Sequence, residues 1–212
     1  LSRYKHIIWD WNGTLMDDVW LCVEVINGIL KESALPPIAV EDYRTRFQFP
    51  VIRYYETLGF DVKQDAFEKV SLAFINGYDQ RRFECELHPE VTTILQELTT
   101  RGLQQSILSA YTQDKLNAVI EHYGIRAHFQ HVVGIDNIYA AGKLEQGIAH
   151  MRQLTCAPHE TLLVGDTLHD HEVAQAIGAD CILISHGHND TARLAQSSAP
   201  VIERITEIAA WL

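Results

Sequence analysis

His6-Ile7-Ile8-Trp9-Asp10-Trp11-Asn12-Gly13-Thr14-Leu15 opens with an apolar run that stops at an acid and a glycine. Such a run reads as a buried parallel strand that ends in a polar loop. The same pattern recurs downstream. Gln104 to Leu108 ends at Ser109, Val132-Val133 at Gly134, Thr161 to Val164 at Gly165-Asp166, and Cys181 to Ile184 at Ser185. Helix-length stretches lie between them: Glu90 to Arg101, Thr112 to Tyr123, Gly142 to Leu154 and His171 to Ile177. Most are closed by a glycine such as Gly102, Gly124 or Gly178. Strand and helix alternating in this rhythm predict an α/β fold with a doubly wound, Rossmann-like parallel sheet.

One stretch breaks the rhythm. Between Asp18 and Glu86 the pattern is helical, as in Val19 to Ser33, Val51 to Gly59 and Gln64 to Phe83, with no convincing buried strand. Pro36-Pro37 and Phe49-Pro50 punctuate it, and His88-Pro89 marks a return to the core. The expected organisation is a core of residues 1–17 and 87–212, with residues 18–86 inserted after the first strand as a helical cap.

Composition narrows the function classes. A chain of 212 residues with 47% apolar side chains can bury a substantial core. A formal net charge of −11 disfavours a general nucleic-acid or anionic-membrane surface, because phosphate backbones select for clustered Lys and Arg. A small-molecule partner is the better expectation. No apolar run approaches the roughly 18 residues of a membrane span, and Leu1 to His6 lacks the apolar stretch of a signal peptide. The expected address is therefore the cytoplasm. Cys22, Cys85, Cys156 and Cys181 are widely spaced with no CxxC pair, and read as reduced thiols.

The polar residues of interest sit at strand ends, where open α/β sheets bind ligands. Asp10, Ser109, Lys143, Asp166 and Asp170 would converge there if the strands carrying Asp10, Ser109 and Asp166 are neighbours. Together they supply what phosphoryl transfer needs. A carboxylate such as Asp10 can act as a nucleophile if a cation neutralises the phosphate it approaches. Mg²⁺ takes oxygen ligands and few carboxylates, so Asp10, Asp166 and Asp170 would suffice alongside water and a substrate oxygen. Lys143 adds a fixed positive charge, and the Ser109 hydroxyl can hold phosphoryl oxygens.

Asp10-Trp11-Asn12-Gly13-Thr14-Leu15, Ile107-Leu108-Ser109, Lys143 and Gly165-Asp166-Thr167-Leu168-His169-Asp170 resemble, in order, the four motifs of the haloacid dehalogenase superfamily. The insert resembles the helical C1 cap of its phosphoglycolate phosphatase and β-phosphoglucomutase branch. The resemblance implies a Mg²⁺-dependent phosphatase acting on a small phosphorylated metabolite through an aspartyl phosphate, as a monomer or homodimer. It makes Asp10 the nucleophile and a metal ligand, the backbone carbonyl of Asn12 a second ligand and Asp166 a third, with Asp170 binding through water or fixing the surroundings. Ser109 and Lys143 would bind the phosphoryl group, and Arg53 is a candidate cap residue facing an anionic substrate.

The sequence departs from the family pattern at Asn12, where its phosphatases usually carry an aspartate that serves as general acid and base. An amide cannot shuttle a proton near neutral pH, and losing general acid–base help costs about 10²–10⁴-fold. Asp17, His169 or His171 are candidates to replace it. Two alternatives stay open: C–P cleavage of the phosphonoacetaldehyde hydrolase kind, which uses a cap lysine and would have to draw on Lys31, Lys63 or Lys69, and a weakened protein that senses a phosphorylated metabolite. Metal-free dehalogenation is disfavoured by the paired acids Asp166 and Asp170. His186 and His188 are expected to border the pocket, and Trp9 and Trp11 to pack in the core.

Overall fold

The computed structural model describes residues 3–136 and 142–212. Its centre is a six-stranded parallel sheet. The strands are β1 (His6–Trp9), β4 (Gln104–Thr112), β5 (His131–Ile135), β6 (Thr161–Gly165), β7 (Asp180–Ile184) and β8 (Val201–Ile202), ordered β5-β4-β1-β6-β7-β8. A further pair, β2 (Met16–Asp17) and β3 (Glu86–Leu87), runs antiparallel. The helices are α1 (Val19–Glu32), α2 (Val40–Arg46), α3 (Val51–Thr57), α4 (Gln64–Arg81), α5 (Val91–Thr100), α6 (Gln113–His122), α7 (Leu144–Met151), α8 (Leu168–Ile177) and the short α9 (Thr191–Leu194).

Strand β1 lies between β4 and β6, with Trp9 level with Ile107 on one side and with Val164 on the other. The chain therefore moves outward on one side of β1 through β4 and β5, then crosses back to build β6, β7 and β8 on the other. That reversal leaves a crevice at the carboxyl end of β1, where open sheets place their ligands. Alternation across β1 feeds both faces of the sheet. Ile8 packs with Leu108, Leu163, Val173 and Ile177 on one face. Ile7 and Trp9 face the other, in a core shared with Ile107, Leu162 and Val164 that continues into Tyr43, Tyr54 and Tyr78 of the helices between β2 and β3.

Three features depart from the sequence reading. Strand β4 continues past Ser109 to Thr112, and its register with β5 shifts between Leu108 and Thr112. Ser109 thus marks an irregularity, where strands beside active sites often re-aim a side chain, and not the strand's end. Strand β8 and the β2–β3 pair are each two residues long, too short for any periodic signal. The β2–β3 pair ties together the two chain segments that flank α1 to α4.

Candidate active site

Asp10 is the first residue beyond β1, and its N–H donates to the carbonyl of Val164 on the neighbouring strand at 2.8 Å. The loop then turns sharply at Gly13, whose φ of +75° is readily adopted only by glycine. A Cβ there would also strike the Asp166 carboxylate and the His188 ring. Two stacked histidines support this turn from behind. The Nε2 atoms of His88 and His186 donate to the carbonyls of Gly13 and Thr14, each at 3.1 Å, and the rings lie 3.6 Å apart. Burial pushes both imidazoles down to about 4, so they are neutral hydrogen-bond donors that add no charge beside the nucleophile.

The carboxylates of Asp10, Asp166 and Asp170 converge, with one oxygen of each within 4.8 Å of the others. Thr14 Oγ1 donates to Asp166 at 2.8 Å, and the His188 N–H donates to the other Asp166 oxygen at 2.5 Å. Asp170 lies in the first turn of α8 and accepts from the Thr167 N–H at 2.9 Å and its hydroxyl at 2.7 Å, a favourable place for an acid at the positive end of a helix. Lys143, at the start of α7, is almost fully buried. Its Nζ donates to Asp10, to Asp170 at 2.7 Å and to the Leu108 carbonyl at 2.9 Å. Burial raises the Asp10 carboxyl well above its usual range; the Lys143 charge opposes this, and Asp170 and Asp166 reinforce it. Burial would drive Lys143 towards neutrality, but the charges of Asp10 and Asp170 outweigh it and keep the ammonium protonated.

Three buried carboxylates beside one ammonium leave two negative charges in excess when all ionise. The donor set is oxygen only, so it fits a hard divalent cation such as Mg²⁺ better than zinc.

Facing these residues is a cavity of about 420 Å³, within the range of small-molecule sites. The sheet contributes Asp10, Ser109 and Lys143, and the helices over it contribute Phe47, Phe74 and Tyr78. Asn12 reaches the cavity too, yet both protons of its amide are spent: Nδ2 donates to Asp18 at 2.7 Å and to the Tyr78 hydroxyl at 2.8 Å.

A family model described as haloacid dehalogenase-like hydrolase matches residues 7–184. The chain belongs to this family. A haloacid dehalogenase-like hydrolase of Streptococcus pneumoniae shares the fold, with a TM-score of 0.85 at 19% identity, covering 99% of this chain and 98% of that one. Among sequence relatives, a phosphoglycolate phosphatase of Rhodobacter capsulatus is 25% identical over 87% of this chain and 86% of its own length. The tyrosine-protein kinase PtkA of Mycobacterium tuberculosis is 24% identical over 95% of this chain and 69% of its own.

Within this haloacid dehalogenase-like hydrolase, Asp10, Asn12, Ser109, Lys143 and Asp170 all line the cavity, and Asp166 lies directly behind. Arg53 does not come to the cavity. Its side chain is exposed and faces Glu56 one helical turn away, at 3.4 Å. Of the three suggested replacements for the missing acid, only His169 lines the cavity; Asp17 is exposed on the outward face of β2, and His171 lies elsewhere on α8.

The residue that sequence reasoning missed is Asp18, one position from the acid it named. Asp18 is fully buried and accepts from Asn12 at 2.7 Å, Tyr78 at 2.7 Å, the Gly13 N–H at 2.8 Å and His188 Nε2 at 3.3 Å, with the Cys22 thiol a further donor at 4.0 Å. His188 Nδ1 meets the Tyr43 hydroxyl at 2.8 Å. Burial opposes charge on both partners, but each overcomes it through the other: the His188 ring is raised to about 9 and the Asp18 carboxyl is lowered. The alternation of β2 was the one available signal, since it turns Met16 inward and Asp17 outward.

Proposed function

We propose that this protein is a cytoplasmic, Mg²⁺-dependent phosphatase that hydrolyses a small phosphomonoester through an aspartyl phosphate on Asp10. The observation that carries this reading is the buried cluster of Asp10, Lys143, Asp166 and Asp170, three of which line a cavity of small-molecule size. The phosphatase named among the relatives agrees with it. Asp10, Asp166 and Asp170 would hold the metal, with the Asn12 carbonyl as the ligand implied by family resemblance. Bound Mg²⁺ would neutralise the charge that builds where an anionic carboxylate meets an anionic phosphate.

The protein's own residues supply the rest. An oxygen of Asp10 forms a bond to phosphorus as the bond to the leaving oxygen breaks, and the electron pair departs on that oxygen. A water oxygen then attacks the same phosphorus, the bond to Asp10 breaks with its pair returning to the carboxylate, and inorganic phosphate and a proton are released. Ser109 Oγ accepts from the Tyr111 N–H at 3.1 Å, which leaves its own proton free for a phosphoryl oxygen. Lys143 has three N–H donors and all are engaged, so it acts through its charge and by aiming Asp10.

The alternative of imine chemistry finds no support. Lys31, Lys63 and Lys69 do not line the cavity, and the Lys63 side chain is 87% exposed.

Asp10→Asn removes the nucleophile with little change of volume. Turnover of p-nitrophenyl phosphate with Mg²⁺ should fall on the order of 10⁴-fold or more, while the melting temperature holds or rises because a strained buried charge is gone. Retained turnover in a correctly folded variant would overturn the mechanism.

A further inference from the structure

We propose that the natural substrate is the phosphate ester of an uncharged aromatic alcohol, a phenol, and not of a carboxylate-bearing alcohol such as glycolate. The proposal rests on the phosphatase reading above and names its substrate class.

The first observation is charge. Lys143 is the one Lys or Arg on the cavity wall among the described residues, and the sequence has neither at positions 137–141. Its three donors are already committed. The two histidines on the wall are committed as well: His188 is paired with Asp18 and Tyr43, while His169 Nε2 accepts from the Lys143 N–H at 3.3 Å and its Nδ1 faces Glu172. Asp18 and Asp79 also line the cavity, but each is already matched by a cation, Asp18 by His188 and Asp79 by Lys115 with the Tyr111 hydroxyl donating to it at 2.7 Å, so neither pair leaves a positive charge free for the substrate. A second anionic group on the substrate would thus be buried without a partner, at a cost of several kcal/mol.

The second observation is shape and surface. The walls around the leaving group are aromatic, with Phe47, Phe49, Tyr54, Phe67, Phe74 and Tyr111 among them. Tyr43 stacks on Phe47 at 5.2 Å, and Phe49 meets Phe47 edge-on at 5.6 Å, which leaves ring faces and edges for a further ring. The Tyr54 hydroxyl is buried with no partner among the described residues, so it is free to meet a polar atom of a bound molecule.

The third observation is the missing proton. Asn12 cannot give one, and its amide is not even available to solvate a leaving oxygen. Asp18 accepts from Asn12, Tyr78, the Gly13 N–H and His188, with the Cys22 thiol a further weak donor, which fills the lone pairs of a carboxylate and leaves no site for a proton to ride on. A leaving group that must depart unprotonated has to be a stable anion. A phenolate is one and an alkoxide is not. Asp10 therefore takes the phosphoryl group, the P–O(aryl) bond breaks with its pair on the phenolate, and water later supplies the proton.

The wild-type protein with Mg²⁺ can be tested on four esters: phenyl phosphate, benzyl phosphate, acetyl phosphate and 2-phosphoglycolate. The ring should set KM and the leaving group should set kcat. Phenyl and benzyl phosphate should share a low KM, phenyl phosphate should exceed benzyl phosphate in kcat, and its kcat/KM should exceed that of 2-phosphoglycolate by about 10²-fold or more. Acetyl phosphate has a good leaving group without a ring, and its KM should be high. If 2-phosphoglycolate matches phenyl phosphate in kcat/KM, the substrate class is wrong and the phosphatase reading survives. If acetyl phosphate does so, the aromatic cavity plays no part and the proposal fails. If none of the four turns over, the phosphatase reading itself falls and takes this proposal with it.

Discussion

Asn12 holds both of its amide protons against Asp18 and Tyr78, so restoring the family's aspartate there would not simply restore a proton donor. Asn12→Asp would set two carboxylates against each other in a buried place. The variant should lose about 2–4 kcal/mol of stability in urea unfolding at pH 7. One of the two acids would then titrate above its unfolded value in the folded state, so the penalty is present above that folded value and shrinks as pH falls through it; the deficit should be smaller at pH 5 than at pH 7. Equal deficits at both would mean that the two acids do not meet. His188 makes the opposite prediction at the alkaline end. Its ring titrates near 9 in the fold and near 6.5 when free, so it contributes stability that is full below the free value and lost as pH rises through about 9. The contribution is on the order of 3 kcal/mol. Wild-type stability should therefore decline as pH rises from about 6.5 to about 9 and level off above that, and His188→Gln should flatten that decline. Unaltered pH dependence in the variant would place the titration elsewhere. Asp17 and Asp18 are the same residue type side by side, yet Asp17 ends β2 pointing to solvent while Asp18, the residue that leads into α1, turns inward and becomes the anchor of the site.

The loop after β7 holds the helices above the cavity. Arg44 donates to the His186 carbonyl at 2.5 Å, Asn189 Nδ2 to the Phe47 carbonyl at 2.9 Å, and Arg193 to the Thr45 carbonyl at 2.7 Å and to Gln48 at 3.3 Å. These bonds fasten α2 and the aromatic segment that follows it, while the sheet below has its own ladder. Hydrogen bonds from a charged group are worth about 1.5–3 kcal/mol. Arg193→Ala should therefore speed amide exchange across residues 40–58 by roughly tenfold or more and leave β1, β4 and β6 unchanged. Acceleration spread evenly over the chain would instead mean that the loop supports the whole fold. None of these pairings is legible in the sequence, since each joins residues more than 140 positions apart. The loop glycine Gly187 shows the same gap: a Cβ there would strike the Asp166 carboxylate, a constraint visible only once the loop has been folded against β6.

Across the molecule, a formal charge of −11 includes three carboxylates drawn into one buried cluster beside a single lysine. Such a cluster should be stabilised by the cation it fits. At a Mg²⁺ concentration about 100 times its Kd, the folded state gains about 2.7 kcal/mol, roughly 5–10 °C in melting temperature for a chain of this size. Asp166→Asn should abolish the rise, and a wild type indifferent to Mg²⁺ would remove the metal from the site. Among the described residues no helix is long and apolar enough to cross a membrane. The sequence by itself determined the parallel sheet and the placing of Asp10 and Asp166 at strand ends, because a buried strand ends where its backbone meets a polar loop and that boundary is written in neighbouring residues; for Ser109 it located the residue but not the irregularity within β4 that the structure shows there. The tertiary structure alone decided what surrounds them. Tyr43 and His188 lie 145 positions apart and meet only because the helices between β2 and β3 dock on the loop beyond β7. Arg53 falls outside the cavity because its place on α3 turns it to solvent. Which side chains share a cavity depends on strand order and helix docking, and these are set by packing between segments distant in the chain, for which local periodicity has no signal.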